Sequence, residues 1–202
     1  VRRFEGHTDF VRCGALNPNS PQMLVTGSYD HTVRLWDVNS PKCVMELNHA
    51  APVEDLVLLP GGGMLATASG NTMSVWDILS GGRVLQTVCA HSKTITSLCA
   101  DAAGAHLLSA SLDHLVKVYE LRRYKVVGSL KYAAPLLSVA LSPAASHLVV
   151  GMSDNSLCVG RQAAGTRAAA GAPRAAAEGG ADLRSVGVPG QVGVDEAAPP
   201  PD

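Results

Sequence analysis

The sequence predicts an all-β chain: about four copies of a four-stranded antiparallel unit, followed by a tail without secondary structure. Three observations predict it. An aromatic closes a similar string at Trp36, Trp76 and Tyr119, at spacings of 40 and 43 residues. A histidine precedes each of these aromatics, His7, His49 and His91, by 29, 27 and 28 residues. Between them lie short apolar or alternating runs that end at turn residues, and no helix of useful length is visible.

The first copy opens at Gly6-His7 and runs through Leu24-Val-Thr-Gly-Ser-Tyr-Asp30-His-Thr-Val-Arg-Leu-Trp36-Asp37. Thr32–Trp36 alternates, which puts Arg34 on the face opposite its apolar neighbours. Tyr29-Asp30-His31 supplies a tight turn. The second copy opens at Asn48-His49. Its strand Val53-Glu-Asp-Leu-Val-Leu-Leu59 stops at the turn Pro60-Gly61-Gly62-Gly63, and Met64-Leu-Ala-Thr-Ala-Ser-Gly70-Asn-Thr-Met-Ser-Val-Trp76-Asp77 follows. It has no Asp in its strand turn. The third copy opens at Ala90-His91, passes through Ile95–Ala100 and the turn at Asp101–Gly104, and closes on Leu115-Val-Lys-Val-Tyr119-Glu120 after the turn Leu112-Asp113-His114. A fourth, weaker copy spans Leu136–Pro143 and His147–Val159. Val1-Arg-Arg-Phe4 reads as the outer strand of a preceding unit.

Composition divides the 202 residues. There are 16 basic and 17 acidic side chains, and residues 1–160 carry 12 of each, which excludes a strongly basic nucleic-acid arm and a polybasic membrane surface. All seven histidines and every aromatic lie before Gly160, while 24 of the 42 residues in 161–202 are Ala, Gly or Pro. Such a segment cannot bury enough apolar surface to offset its chain entropy. The expected organisation is a folded domain over 1–160 and a disordered Ala/Gly/Pro-rich tail over 161–202. No leader follows Val1, and no apolar run approaches the ~18 residues of a membrane span. The five cysteines are odd in number and form no CxxC pair. That pattern predicts a soluble intracellular chain without disulfides, with the cysteines serving as small buried hydrophobes.

Four short strands every ~40–45 residues, opened by Gly-His and closed by Trp-Asp, resemble the WD-repeat β-propeller family. The resemblance implies an incomplete propeller. A ring of about seven blades needs ~280–310 residues at that repeat length, so the sequence reads as a fragment or truncated product of a longer protein. It is also narrower than the fold. Phe4-Glu-Gly-His-Thr-Asp-Phe-Val-Arg-Cys-Gly14, Gly27-Ser-Tyr-Asp-His-Thr-Val33, Ser109-Ala-Ser-Leu-Asp113, Val116-Lys-Val-Tyr119, Tyr124-Lys-Val-Val127, Tyr132-Ala-Ala134 and Val149-Val-Gly-Met152 are similar to the later blades of WD-repeat subunits of the nucleolar small-subunit processome. This similarity implies a non-enzymatic scaffold in pre-rRNA processing and small ribosomal subunit assembly, supporting pre-rRNA transcription. The implied partners are other processome proteins, with indirect association to pre-rRNA and the U3 small nucleolar RNA. No cofactor, metal, membrane or small-molecule substrate is implied. The alternative is a general WD-repeat adaptor, such as a substrate reader of a ubiquitin ligase.

His, Ser/Thr and Asp recur at fixed spacing: His7, Thr26 or Ser28, and Asp30 before Trp36; His91, Ser109 or Ser111, and Asp113 before Tyr119. A hydrolase triad uses the same residue types. Repetition and the lack of a Gly-x-Ser-x-Gly elbow favour structure over catalysis. In the family this set forms an internal hydrogen-bond chain, which a buried indole N–H requires. The assigned network is His7, Ser28, Asp30 and Trp36, with His91, Ser111 and Asp113. The family also implies a partner surface ahead of each inner strand and beside the turn Asp: Phe10, Arg12 and Tyr29, then Pro52, then Thr94 and Leu112. Arg122-Arg123-Tyr124-Lys125 is the densest basic cluster and reads as an exposed loop. Gly61–Gly63 lacks the Lys-Ser/Thr of a phosphate loop.

Overall fold

The computed structural model describes residues 2–40, 42–89 and 91–161. These residues form strands and no helix. The first blade is β1 (Val11–Asn17), β2 (Ser20–Ser28), β3 (Thr32–Asp37) and β4 (Cys43–Asn48). The second is β5 (Val53–Leu58), β6 (Met64–Ser69), β7 (Thr72–Asp77) and β8 (Arg83–Val88). The third is β9 (Ile95–Ala100), β10 (His106–Ser111), β11 (Leu115–Glu120) and β12 (Lys125–Lys131), and the fourth is β13 (Leu136–Leu141), β14 (His147–Met152) and β15 (Leu157–Arg161). Each blade is an antiparallel meander in chain order. The fourth blade has three strands among the described residues rather than the four expected. Its last strand takes in Arg161, one residue beyond the expected boundary, and 162–202 lie outside the described residues. No strand forms over residues 2–10; Phe4 instead packs against Trp36, with ring centroids 5.7 Å apart.

The core sits between blades rather than within them, because a single four-stranded sheet cannot bury its apolar face alone. Blades 1 and 2 share Val25, Val33, Leu35, Leu47, Val53, Leu56 and Leu65. Blades 2 and 3 meet through Met73, Val75, Ile95, Leu107 and Tyr119, and blades 3 and 4 through Leu108, Val116, Leu136 and Val150. β1, β5, β9 and β13 therefore run side by side as the inner strands. A polar tie accompanies each joint. Asn17 Nδ2 donates to Gly62 O at 2.9 Å, Leu98 N to Asp55 Oδ2 at 2.7 Å, and Thr96 Oγ1 to Leu136 O at 2.9 Å. Gly27 sits in the first joint with no room to spare. A Cβ there would lie 2.7 Å from Cys13 Sγ and 2.8 Å from Val53 Cγ1.

The cysteines are free. Cys13, Cys43, Cys99 and Cys158 are half-buried, while Cys89 is exposed, contrary to the expectation of burial. Burial, with Asp55 adding to it, pushes the Cys13 thiol up to about 12.

Candidate functional site: hydrogen-bond chains and an exposed rim

In blade 1 the indole N–H of Trp36 donates to Thr26 Oγ1 at 2.8 Å. Thr26 Oγ1 lies 2.8 Å from His7 Nε2, and His7 Nδ1 lies 2.8 Å from Asp30 Oδ2. The ionised Asp30 carboxylate can only accept, so Nδ1–H donates to it, and in the neutral imidazole Nε2 then accepts the Thr26 hydroxyl proton. Thr8 N, Thr32 N and Thr32 Oγ1 also donate to Asp30, at 3.0, 2.9 and 2.7 Å. Burial alone would raise the Asp30 pKa; hydrogen bonds from Thr32, His7 and Thr8 outweigh it and hold the carboxyl far below its usual range. One relay thus ties the loop before β1 to β2, β3 and the turn between them.

Blade 3 repeats the relay. His91 Nδ1 lies 2.9 Å from Asp113 Oδ2, and Nε2 lies 2.6 Å from Ser109 Oγ, which is 3.3 Å from Tyr119 Oη. Burial lowers the His91 pKa against the pull of Asp113. The hydroxyl members are therefore Thr26 and Ser109, not the assigned Ser28 and Ser111. Those two serines do another job. Ser28 Oγ donates to Asp9 O at 3.1 Å and accepts Asp30 N at 3.1 Å. Ser111 Oγ donates to Lys93 O at 3.1 Å and accepts Asp113 N at 3.2 Å. Each pins the turn rather than the aromatic. Every member of both relays is occupied by its neighbours, and none is presented as an exposed nucleophile.

Blade 2 keeps only half of the relay. Trp76 Nε1 donates to Thr67 Oγ1 at 2.9 Å, and Thr67 donates onward to Ser74 O at 3.3 Å. His49 Nε2 is buried with no hydrogen-bond partner among the described residues. Burial lowers its pKa to about 4.

The expected partner positions collect on one rim. Tyr29 N donates to Phe10 O at 2.9 Å, and Leu112 N to Thr94 O at 3.0 Å, so in blades 1 and 3 the residue before the inner strand pairs with the turn. Phe10 is 78% exposed. Arg12 is exposed, and Tyr29, Pro52, Thr94 and Leu112 are half-buried. Sequence reasoning missed Glu54. Its carboxylate accepts Tyr29 Oη at 3.0 Å and lies 3.7 Å from Arg12 Nε, binding the rims of blades 1 and 2 together. The hydrogen bond to Glu54 raises the Tyr29 pKa. A β-bulge produces this display. The register slips at the second residue of every inner strand, which singles out Arg12, Glu54, Thr96 and Leu137. Bulges turn side chains out of the sheet's alternation.

The basic cluster falls on the β11–β12 turn. Arg122 and Arg123 are exposed, while Tyr124 packs against the joint of blades 2 and 3. Among the described residues, no group of three His, Cys, Asp or Glu side chains could hold a metal ion.

The family model described as "WD domain, G-beta repeat" matches residues 1–37, 41–77 and 82–120. The chain belongs to the WD-repeat family. Each matched repeat takes in the first three strands of one blade, β1–β3, β5–β7 and β9–β11, and ends at its closing aromatic and the acid after it; the second and third also take in the outer strand of the blade before, β4 and β8. The chain is 46% identical over 157 residues to the U3 small nucleolar RNA-associated protein 15 homolog of Xenopus tropicalis, covering 78% of this chain and 30% of that protein. The human protein of that name is 46% identical over 153 residues, covering 76% and 30%. Protein SLOW WALKER 1 of Arabidopsis thaliana is 45% identical over 162 residues, covering 78% and 31%. This WD-repeat chain spans less than a third of the length of these relatives.

Proposed function

We propose that the chain is a non-enzymatic scaffold piece in nucleolar pre-rRNA processing and small ribosomal subunit assembly, supporting pre-rRNA transcription. Its partners in this reading are other protein subunits of the small-subunit processome, with pre-rRNA and the U3 RNA associated indirectly. The observation that carries the reading is the 46% identity over 157 residues to a protein named for the U3 small nucleolar RNA. The geometry supports a scaffold. The His–Ser/Thr–Asp sets are consumed in holding the blades, while an exposed aromatic and an Arg stand on a rigid rim, the kind of pair that dominates protein interfaces. The partner surface is Phe10, Arg12 and Tyr29 with Pro52, Thr94 and Leu112, extended by Glu54.

The test is capture of the tagged chain from nuclear extract. Recovery of processome proteins and U3 RNA, weakened by Phe10→Ala with Arg12→Ala, is the expected result. Recovery of cullin-type ligase components in their place overturns the reading in favour of an adaptor.

A further inference from the structure

Blade 2 departs from its neighbours at one place. The second hairpin of blade 1 reads Ser28-Tyr-Asp30-His-Thr32, and that of blade 3 reads Ser111-Leu-Asp113-His-Leu115. In blade 2 it is one residue shorter, Ser69-Gly70-Asn71-Thr72, and has no acid. Gly70 makes the tighter turn with φ at 57°. No carboxylate among the described residues pairs with His49, and Thr67 has spent its proton on Ser74 O. The imidazole instead stands edge-on to Trp76, with centroids 5.0 Å apart at 82°, compared with 6.0 Å for His7 and Trp36. Beside it opens a cleft of about 330 Å³, whose walls include His49, Ala50, Asn71, Ser74, Trp76 and Thr87.

We propose that this cleft receives a carboxylate side chain from a protein partner, an Asp or Glu that takes the place beside His49 which Asp30 and Asp113 hold beside their own histidines. The two complete blades show what that place offers. Each acid there accepts from the imidazole and from the backbone N–H of the residue after the histidine, Thr8 at 3.0 Å and Ser92 at 3.0 Å. The residue after His49 is Ala50, on the cleft wall. Asn71 keeps one amide N–H beyond the one it gives to His91 O at 3.4 Å, and the hydroxyls of Ser74 and Thr87, bonded to each other at 3.2 Å, leave one proton free to donate. Among the described residues, no Asp or Glu lines the cleft to repel an incoming anion. Trp76 gives the methylene groups of the entering side chain an apolar wall. The volume lies at the low end for ligand clefts, suited to one side chain and its flanking backbone rather than to a nucleotide-sized group. The low pKa of His49 is a consequence of burial without an acid, and an arriving carboxylate raises it.

The experiment is NMR of the full chain with labelled histidines, the His49 signal being assigned from His49→Gln. The probes are acetyl-Gly-Glu-Gly-amide, its Gln counterpart and sodium acetate. The Glu peptide is expected to shift the His49 signal saturably with a Kd in the millimolar range, and the Gln peptide to bind at least tenfold more weakly. Thr87→Glu puts a carboxylate on the wall in cis. It is expected to shift His49 in the same direction and abolish the peptide response, while the His7 and His91 signals stay in place and report an intact fold. Equal responses to the Glu and Gln peptides overturn the proposal, as does an unmoved His49 with every probe. A response to acetate alone overturns it too, because the cleft then takes a free anion and not a partner's side chain.

Discussion

Thr26→Val tests the relay of blade 1 with the smallest change of shape. Valine keeps the volume of threonine and its β-branch, so the strand and the packing of β2 stay as they are. What disappears is one oxygen with two duties. It accepts the indole N–H of Trp36 at 2.8 Å and gives its own proton to His7 Nε2 at 2.8 Å. Trp36 is 2% exposed, so its N–H cannot turn to water. Two lost hydrogen bonds cost about 1 kcal/mol each, and the stranded buried donor adds about 1 kcal/mol more, for a total of about 3 kcal/mol. Ser28→Ala also loses two hydrogen bonds, to Asp9 O and from Asp30 N, but strands no buried aromatic donor, so its cost is about 2 kcal/mol. The assay is urea unfolding of the full chain followed by tryptophan fluorescence and circular dichroism. Trp36→Phe, alone and combined with Thr26→Val, closes a double-mutant cycle. The pair should couple by about 1–2 kcal/mol, since removing both partners leaves nothing unsatisfied at that end. A cost for Thr26→Val below that of Ser28→Ala, or an additive cycle, would refute the relay as described.

Other outcomes follow from single features. His49 titrates near 6.5 when unfolded and at about 4 when folded, so below pH 6.5 the unfolded chain binds the extra proton. Stability is whole above that pH and falls as the pH drops toward 4, by roughly 2 kcal/mol at pH 5 from this group. His49→Gln should remove that share of the slope, measured as urea midpoints at pH 7 and pH 5. Below pH 4 the lowered carboxyls of Asp30 and Asp113 add a further loss, as they are forced to protonate inside their relays. Gly27→Val should cost about 1–3 kcal/mol in thermal or urea unfolding, because its new atoms enter the filled joint against Cys13 and Val53. Phe10→Ala should change stability by less than about 0.5 kcal/mol, given its exposure, so any loss of partner capture reports the surface and not the fold.

The repeat was legible because burial and hydrogen bonding restrict the same few positions in every blade. An indole buried at a strand end demands an acceptor, and the alternation of apolar residues fixes which face of each strand meets the next blade. Hence the histidine-to-aromatic interval, the turn acids and the strands between them could all be read from residue order. Glu54 could not. It lies on the rim because a bulge interrupts the alternation after Val53, and that bulge depends on how β5 pairs with β6, which no local pattern encodes. The same slip displays Leu137, half exposed on blade 4, where alternation from the buried Leu136 gives no hint of a rim position.

The choice of hydroxyl lies between these cases, and it shows what the residues could have settled. Thr26 and Ser28 are two apart and share a face, as do Ser109 and Ser111, so strand parity cannot separate them. Cross-strand register can. Trp36 stands opposite Leu24, and Tyr119 stands opposite Leu107. The residue two along from each partner is a diagonal neighbour about 7–8 Å away, within reach of a large aromatic side chain. That residue is Thr26 in blade 1 and Ser109 in blade 3, and the same count from Leu65 reaches Thr67 in blade 2. Ser28 and Ser111 are four along, at the strand end, where a short hydroxyl meets the turn and not the ring. The relay is thus decided by the reach of the aromatic, and the histidine completes it only where the following hairpin is long enough to bring an acid. Blade 2 has the ring and the hydroxyl but the short hairpin, which is why its histidine stands beside an open cleft.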